Sequence, residues 1–321
     1  MNALEQIRSD VAELTTLGGR LVGTEGHTSA KRYLVERLEG VGLPPYLPAG
    51  YEISYARREL NFTNVVAQIL GADSALAPIV LGAHYDTFGD LPGADDNAAA
   101  VAVCLAVAER FKETPFERSI VFAFFDGEEP PFFLQPEMGS IRFFEDHVRD
   151  RVHCAIVMDL VGHDVPIPGL EDLLILMGME SDPVLSDVVV ASEPSSGLRI
   201  VPTLNEYVGD MSDHHVFRVN QVPYLLLTCG RWEHYHRETD TLDKVNLSKI
   251  AATADYVAEL LRRVSSARFE GPFTGNDTTS VELDFLKRNV EPVLKAAGAG
   301  ITLETRADID LLVEMLMRYG L

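Results

Sequence analysis

The residues best placed to do chemistry are acids and imidazoles at the ends of apolar runs. Ile79-Val80-Leu81 leads into His84 and Asp86, and a turn-rich loop, Phe88–Gly93, then reaches Asp95-Asp96-Asn97. The apolar run Ser119–Phe125 ends in Asp126-Gly127-Glu128-Glu129, and Cys154–Leu160 ends around Asp159. Farther on come Ser212-Asp213-His214-His215 and a loop, Cys229–Asp243, that carries His234, His236 and Asp240. Residues i and i+2 of a strand point to one side, so His84 and Asp86 are delivered together. Carboxylates at the ends of buried strands are costly unless paired or bound to metal. Four such strand ends in one chain point to one shared cluster, and imidazole with two or three carboxylates suits a divalent cation.

The elements that must position these groups alternate. Strands are expected at Tyr51–Arg57, Asn64–Leu70, Ile79–His84, Ser119–Phe125, Cys154–Leu160, Leu173–Met177 and Val222–Thr228. Apolar residues three and four apart predict helices over Ala3–Leu17, Ala30–Glu39 (capped by Thr28/Ser29), Met138–His147, Pro183–Ala191 and Leu247–Val264. The run Ala98–Phe111 is apolar nearly all round, so it predicts a buried helix, with Asp95/Asp96 at its start as caps and dipole partners. Between Ala191 and Ser212 lies a loop rich in Pro, Ser and Gly. The alternation implies an α/β fold, a mixed and largely parallel central sheet sandwiched by helices. In such sheets, sites form at the carboxyl ends of strands. A catalytic domain over residues 1–268 is expected, then a linker at Phe269–Thr279 and a C-terminal helical extension with helices at Val281–Ala297 and Ala307–Tyr319. The extension (269–321) is expected to pack on the core or build a subunit interface, which leaves a homo-oligomer open.

Composition narrows the function classes. A chain of 321 residues with 46% hydrophobic and 24% charged residues can bury a large core. A net charge of −22 argues against a nucleic-acid partner and against an anionic membrane surface. Acids at Glu5, Asp10 and Glu13 interrupt the N-terminal stretch, which does not read as a signal peptide, and no run approaches a membrane span. Cys104, Cys154 and Cys229 are odd in number and lie in apolar segments, as reduced thiols of a cytoplasmic protein would.

The motifs HYDT (from His84), GADDN (from Gly93), DGEE (from Asp126), MDLVG (from Met158), SDHHVF (from Ser212) and HRETDT (from His236) stand in fixed order. Together they resemble the zinc aminopeptidases of the M28 peptidase family, which includes glutaminyl cyclases as a subgroup. Six ordered motifs make the resemblance specific. It implies a zinc-dependent exopeptidase that releases the N-terminal residue of peptides with a free N-terminus, using two Zn2+ ions. His84 and Asp159 would hold one ion, Glu129 and His236 the other, and Asp96 would bridge them. Glu128 matches the general base and acid. Asp86, beside it in the catalytic set, and Asp240 match carboxylates that fix the tautomers of His84 and His236. Asp213, His214 and Tyr207 are the substrate-facing candidates. The alternatives are a glutaminyl-peptide cyclotransferase working with a single zinc, and a non-catalytic binding protein on the same fold.

Each residue also has a plainer reading. Asp95 and Asp96 could cap a helix, Glu128-Glu129 could be a solvated turn, and Asp159 could cap a turn. His234 competes with His236 until the family pattern, a His four residues before Asp-Thr, selects His236. No G-x-S-x-G elbow surrounds Ser212, which argues against a serine nucleophile. The chain departs from the family at Arg237, where Thr is common, and in Pro130–Leu134, which lengthens the loop after the glutamates and should alter the specificity wall. The cyclases' Trp before the last His is replaced by Tyr235.

Overall fold

The structure, a computed structural model, describes residues 2–16, 18–192, 194 and 197–318. Leu17 and Tyr319, the expected ends of two helices, lie outside the described residues. An eight-stranded sheet runs in the order β1-β2-β4-β3-β5-β8-β6-β7. Its centre is parallel: β3 (Ile79–His84) sits between β4 (Ile120–Phe125) and β5 (Cys154–Met158), and β8 (Tyr224–Thr228) joins β5. On one flank β2 (Leu60–Ile69) and β1 (Glu52–Arg57) are antiparallel. On the other, β6 (Leu173–Met177) runs antiparallel to β8 and pairs in parallel with β7 (Arg199–Thr203). The fold is the expected mixed, largely parallel α/β sheet.

Side-chain alternation splits the core into two layers. In β4, Ile120, Phe122 and Phe124 face one apolar cluster while Val121, Ala123 and Phe125 face the other. The first face is covered by α1 (Ala3–Thr16), α2 (Glu25–Val41), α3 (Ala99–Phe111), α5 (Pro183–Ala191) and α7 (Leu247–Ser266). The second carries the shorter α4 (Gly139–Phe143) and α6 (His215–Val219), through Phe143 and through Val216 and Phe217. The central strands are thus buried on both faces and need no polar alternation. Among the described residues no helix is long and apolar enough to cross a membrane, and all three cysteines are buried and free.

Several local expectations change. α2 begins one turn earlier, at Glu25, because Thr24 caps it by accepting from His27 N–H. β7 occupies part of the stretch read as loop. It lies at the sheet edge, where Pro202 is tolerated. The helix expected over Val281–Ala297 is two pieces, α8 (Thr279–Asn289) and α9 (Glu291–Ala296), broken at Val290 before Pro292, which has no N–H to continue the ladder. α10 (Arg306–Arg318) follows. Leu283, Phe285 and Leu286 of α8 and Ile309 and Leu312 of α10 are buried in the same apolar cluster as the first helical layer. The segment before them is irregular but tied down: Gly271 N–H donates to Asp182 Oδ2 (2.9 Å) and Asn276 Nδ2 to Glu180 O (2.9 Å).

Candidate metal centre

The four parallel strands converge on one cluster. His84 ends β3, Glu128 and Glu129 follow β4, Asp159 follows β5, and His236 lies in the loop after β8. Sharp backbone turns follow three of these strands. Gly127 (φ 64) precedes the glutamates, Leu160 (φ 55) follows Asp159, and His236 itself is left-handed (φ 54). For a residue with a Cβ that geometry costs about 1–3 kcal/mol, and such sites gather where function over-determines the backbone.

Asp96 stands at the middle. It does not start a helix: Asp96 (φ −111, ψ 83) and Asn97 (φ −135, ψ 35) are non-helical, and α3 begins only at Ala99. The capping expectation for Asp96 is therefore overturned. Its Oδ1 lies 3.3 Å from His84 Nε2, and its Oδ2 3.2 Å from His236 Nε2. His84 Nε2 also faces Asp159 Oδ1 at 3.6 Å, and His236 Nε2 faces Glu129 Oε2 at 3.1 Å. Two groups that could each hold a metal ion result, His84/Asp96/Asp159 and Asp96/Glu129/His236, sharing one carboxylate. Glu128 Oε2 is 3.8 Å from His84 Nε2.

The donor set fits a divalent cation. His84 Nε2 and Asp159 Oδ1 are buried and form no hydrogen bond, yet they face one another, as ligand atoms of one ion would. Nitrogen and carboxylate oxygen are also the atoms that zinc takes. The cluster is rich in buried negative charge. Burial, then Asp159 and Glu129 nearby, hold Glu128 well above the usual carboxylate range. Burial, then Asp96, pushes Glu129 up to about 8. For Asp96 burial works the same way, but the imidazoles of His236 and His84 beside it prevail and lower it. Burial opposes the charged form of His236, and Asp96 and Glu129 still raise it to about 9.

Carboxylates behind the cluster fix its backbone. Asp86 accepts from the N–H groups of both Glu128 (3.1 Å) and Glu129 (3.0 Å), and its Oδ1 faces His84 Nδ1 at 3.4 Å. Asp240 was expected behind His236. Its carboxylate instead accepts from the N–H groups of Asp95 (2.9 Å) and Asp96 (3.1 Å), and so fixes the backbone that carries the shared carboxylate. The His236 ring is set by stacking between Phe88 (4.2 Å) and Tyr235 (3.8 Å). Asp95, expected to cap, accepts from Gly162 N–H and pairs with His163 Nδ1, both at 2.6 Å. His163 in turn stacks on Trp232 (4.6 Å).

The substrate-facing candidates separate. Asp213 is fully buried, and burial pushes it up to about 7 against the pull of His84. His214 is buried, bonded to Asn205 Oδ1 (2.9 Å) and stacked on Tyr224, and is not among the residues that line the cavity at the cluster. Tyr207 lines a cavity of about 780 Å3 that also holds Asp96, Glu128, Glu129, Asp159 and His236. Its hydroxyl bonds Asp310 and Arg306 of α10. Pro130 and Phe133 of the lengthened loop line the same cavity, as does Arg231, whose guanidinium lies over Tyr235.

Two supports escaped the sequence reading. Arg20 is fully buried and donates to the carbonyls of Leu14, Tyr85, Pro92 and Gly93 (2.7–3.0 Å), which clamps the loop before Asp96. Burial lowers its pKa to about 10, against the pull of Asp240 and Asp96. Gly93 (φ 59) admits this loop, since a Cβ there would stand 2.3 Å from Asp96 O. His27 Nε2 bonds Asp126 Oδ1 (2.8 Å), while Asp126 Oδ2 accepts from Thr63 N–H (2.6 Å). The available signal was Asp126 itself, an acid after a central strand that had to find a partner.

With that geometry in view, residues 64–261 match the family model described as Peptidase family M28. The chain belongs to Peptidase family M28. It is 29% identical over 230 residues to "Uncharacterized protein YfbL" of Escherichia coli (strain K12), a match covering 62% of this chain and 70% of that one. It is 22% identical over 284 residues to "Endoplasmic reticulum metallopeptidase 1" of Mus musculus, covering 82% of this chain but only 31% of that much longer relative. Among solved structures, the "Aminopeptidase from Aneurinibacillus sp. strain AM-1" superposes with a TM-score of 0.65 at 17% identity, covering 85% of this chain and 96% of that one. Porphyromonas gingivalis glutaminyl cyclase superposes with a TM-score of 0.66 at 19% identity, covering 81% and 97%. At these identities the superpositions show the shared M28 fold.

Proposed function

We propose that this M28 chain is a zinc-dependent aminopeptidase that releases the first residue of peptides with a free N-terminus. The observation that carries the reading is Asp96, whose two oxygens are shared between a His84/Asp159 set and a His236/Glu129 set. His84, Asp159 and Asp96 Oδ1 would hold one zinc; His236, Glu129 and Asp96 Oδ2 would hold the other. Zinc held there supplies Lewis acidity, polarising a carbonyl oxygen and acidifying water.

The chain's own groups do the rest. Glu128, buried next to His84, accepts a proton from water as the water oxygen bonds to the scissile carbonyl carbon, then gives that proton to the departing amide nitrogen as the C–N bond breaks. Asp86 keeps Glu128 and Glu129 in register by binding both of their N–H groups. Beyond the groups that would hold zinc, the buried carboxylates of Asp86, Asp213 and Asp240 leave the surroundings acidic, which favours a substrate whose reacting end is a cation, and an α-ammonium group meets that need. A peptide in the enzyme–substrate complex therefore enters amine first.

The test is mass spectrometry of the zinc-loaded chain with peptides that differ in their first residue, one beginning with Gln. Release of whole first residues, abolished by Glu128→Gln, supports the aminopeptidase. Loss of ammonia alone from the Gln peptide replaces it with a glutaminyl cyclase. Bound zinc with no change in any peptide replaces both with a binding protein. Zinc per chain, read by elemental analysis, separates two ions from one.

A further inference from the structure

We infer that the C-terminal helices are the specificity wall of the site, and that the cavity they close takes a large apolar side chain on the substrate's first residue. This rests on the aminopeptidase reading for which end of the peptide enters. The family match ends at residue 261, whereas α8 and α10 lie beyond it. Yet Leu286 and Val290 on one side of the break, and Ile309, Leu312, Val313 and Leu316 on α10, line the cavity that contains the metal-ligand carboxylates. The cavity is continuous from the acids to these six residues.

Its chemistry is divided by position. Asp96, Glu128, Glu129, Asp159 and His236 gather where the strands end, while β6 and β7 contribute Leu173, Ile175, Met177 and Val201 to the apolar part of the lining. A substrate that satisfies both ends has a cationic amine beside an apolar body. At about 780 Å3 the space is in the range that encloses a drug-sized ligand, and is larger than a Leu or Phe side chain needs. Small first residues would leave this apolar surface unfilled.

The wall is also held in place. Arg306, at the start of α10, donates to both carboxylate oxygens of buried Glu282 on α8 (2.6 and 2.8 Å) and to Thr279 Oγ1 (3.0 Å). The Tyr207 hydroxyl binds Arg306 and Asp310, so the loop after β7 and α10 are fixed to one another. α8 is fixed to the sheet edge, with Asn289 Nδ2 donating to Ile200 O at 2.7 Å. A pocket assembled this way has a set shape, which discrimination between side chains requires.

The experiment uses the full zinc-loaded chain and peptides identical except for Ala, Leu or Phe at the first position. Wild type is expected to favour Leu and Phe over Ala at least tenfold in kcat/KM, since each methylene in an apolar pocket is worth about tenfold or more. Val313→Trp, which fills the cavity from α10, is expected to lower the Phe/Ala ratio at least tenfold. The ratio within one preparation does not depend on the fraction folded. If first residues are released with ratios near one, or Val313→Trp leaves the ratio unchanged, the specificity wall is wrong while the aminopeptidase stands. If no peptide is cleaved, calorimetry with L-phenylalaninamide and L-alaninamide decides the wall separately. Tighter binding of the former, lost in Val313→Trp, supports it, and equal binding overturns it.

Discussion

The strand-end cluster and the C-terminal wall border one cavity but are built on opposite principles. In the cluster the backbone that carries the polar groups is fixed from behind by other side chains: Asp96 by Asp240, Glu128 and Glu129 by Asp86, and the loop before Asp96 by Arg20. In the wall, apolar surface does the contacting and a few polar bonds around Arg306 hold it in place. A group in the first region has one acceptable position, so substitutions there should act as switches. The second tolerates many side chains of similar volume, so substitutions there should act as dials.

The sharpest break of that comparison is Asp96→Ala. Removing the shared carboxylate is expected to lower zinc from two to less than one per chain and to abolish peptide hydrolysis, checked by elemental analysis and product release. Glu128→Gln comes next: activity falls by roughly 10²–10⁴-fold with zinc content unchanged, the usual worth of a positioned proton-transfer group. Asp240→Asn should weaken zinc binding by about 10–100-fold, read by competition with a chelator, because it disturbs the bonds that hold Asp96. If zinc affinity did not move, the switch-like character claimed for the cluster would fail at its support.

In the wall, Arg306→Met leaves Glu282 buried without its charge partner. Chemical denaturation should show a loss of roughly 2–3 kcal/mol, below the full cost of breaking a buried pair because the Arg306 side chain is partly solvated. Zinc affinity should stay unchanged, which sharpens the separation of the two regions.

The smallest effect is a pH dependence remote from both. Burial, with Arg118 nearby, lowers His153 from 6.5 to about 4. The unfolded chain therefore binds that proton first, so stability is full above pH ~6.5 and declines as pH falls towards 4. His153→Phe should flatten the decline by about 1 kcal/mol, less than the shift alone implies since the ring is partly exposed. Thermal melts at pH 7 and 5 would show it.

The site was legible where apolar runs stopped at acids. Glu128, Glu129 and Asp159 follow buried strands and His84 ends one, and the sequence shows both the strand and the expensive residue at its end. Less could be read where a role depends on backbone geometry. Nothing in GADDN says that Asp96 leaves the helix or that Asp240 reaches back to its N–H, since those partners are 144 residues apart. β7 escaped because five residues with an internal Pro carry little periodic signal. Arg20, beside Gly18-Gly19, carries no sequence signal of its role, because charge type alone cannot reveal carbonyls converging on it. The apolar stripes of α8 and α10 were visible, but a stripe does not say whether it faces core, cavity or another subunit.

Arg20 also bears on what counts as a unit. Its guanidinium ties the end of α1 to the Pro92-Gly93 loop, and His27 of α2 holds Asp126. Both lie before residue 64, where the family match begins, a position inside β2. A fragment trimmed to the match would open in mid-strand and lose the latch on the loop that presents Asp96. For this chain the limits of resemblance are narrower than the limits of cooperative folding, and an expressible catalytic fragment has to keep its first two helices.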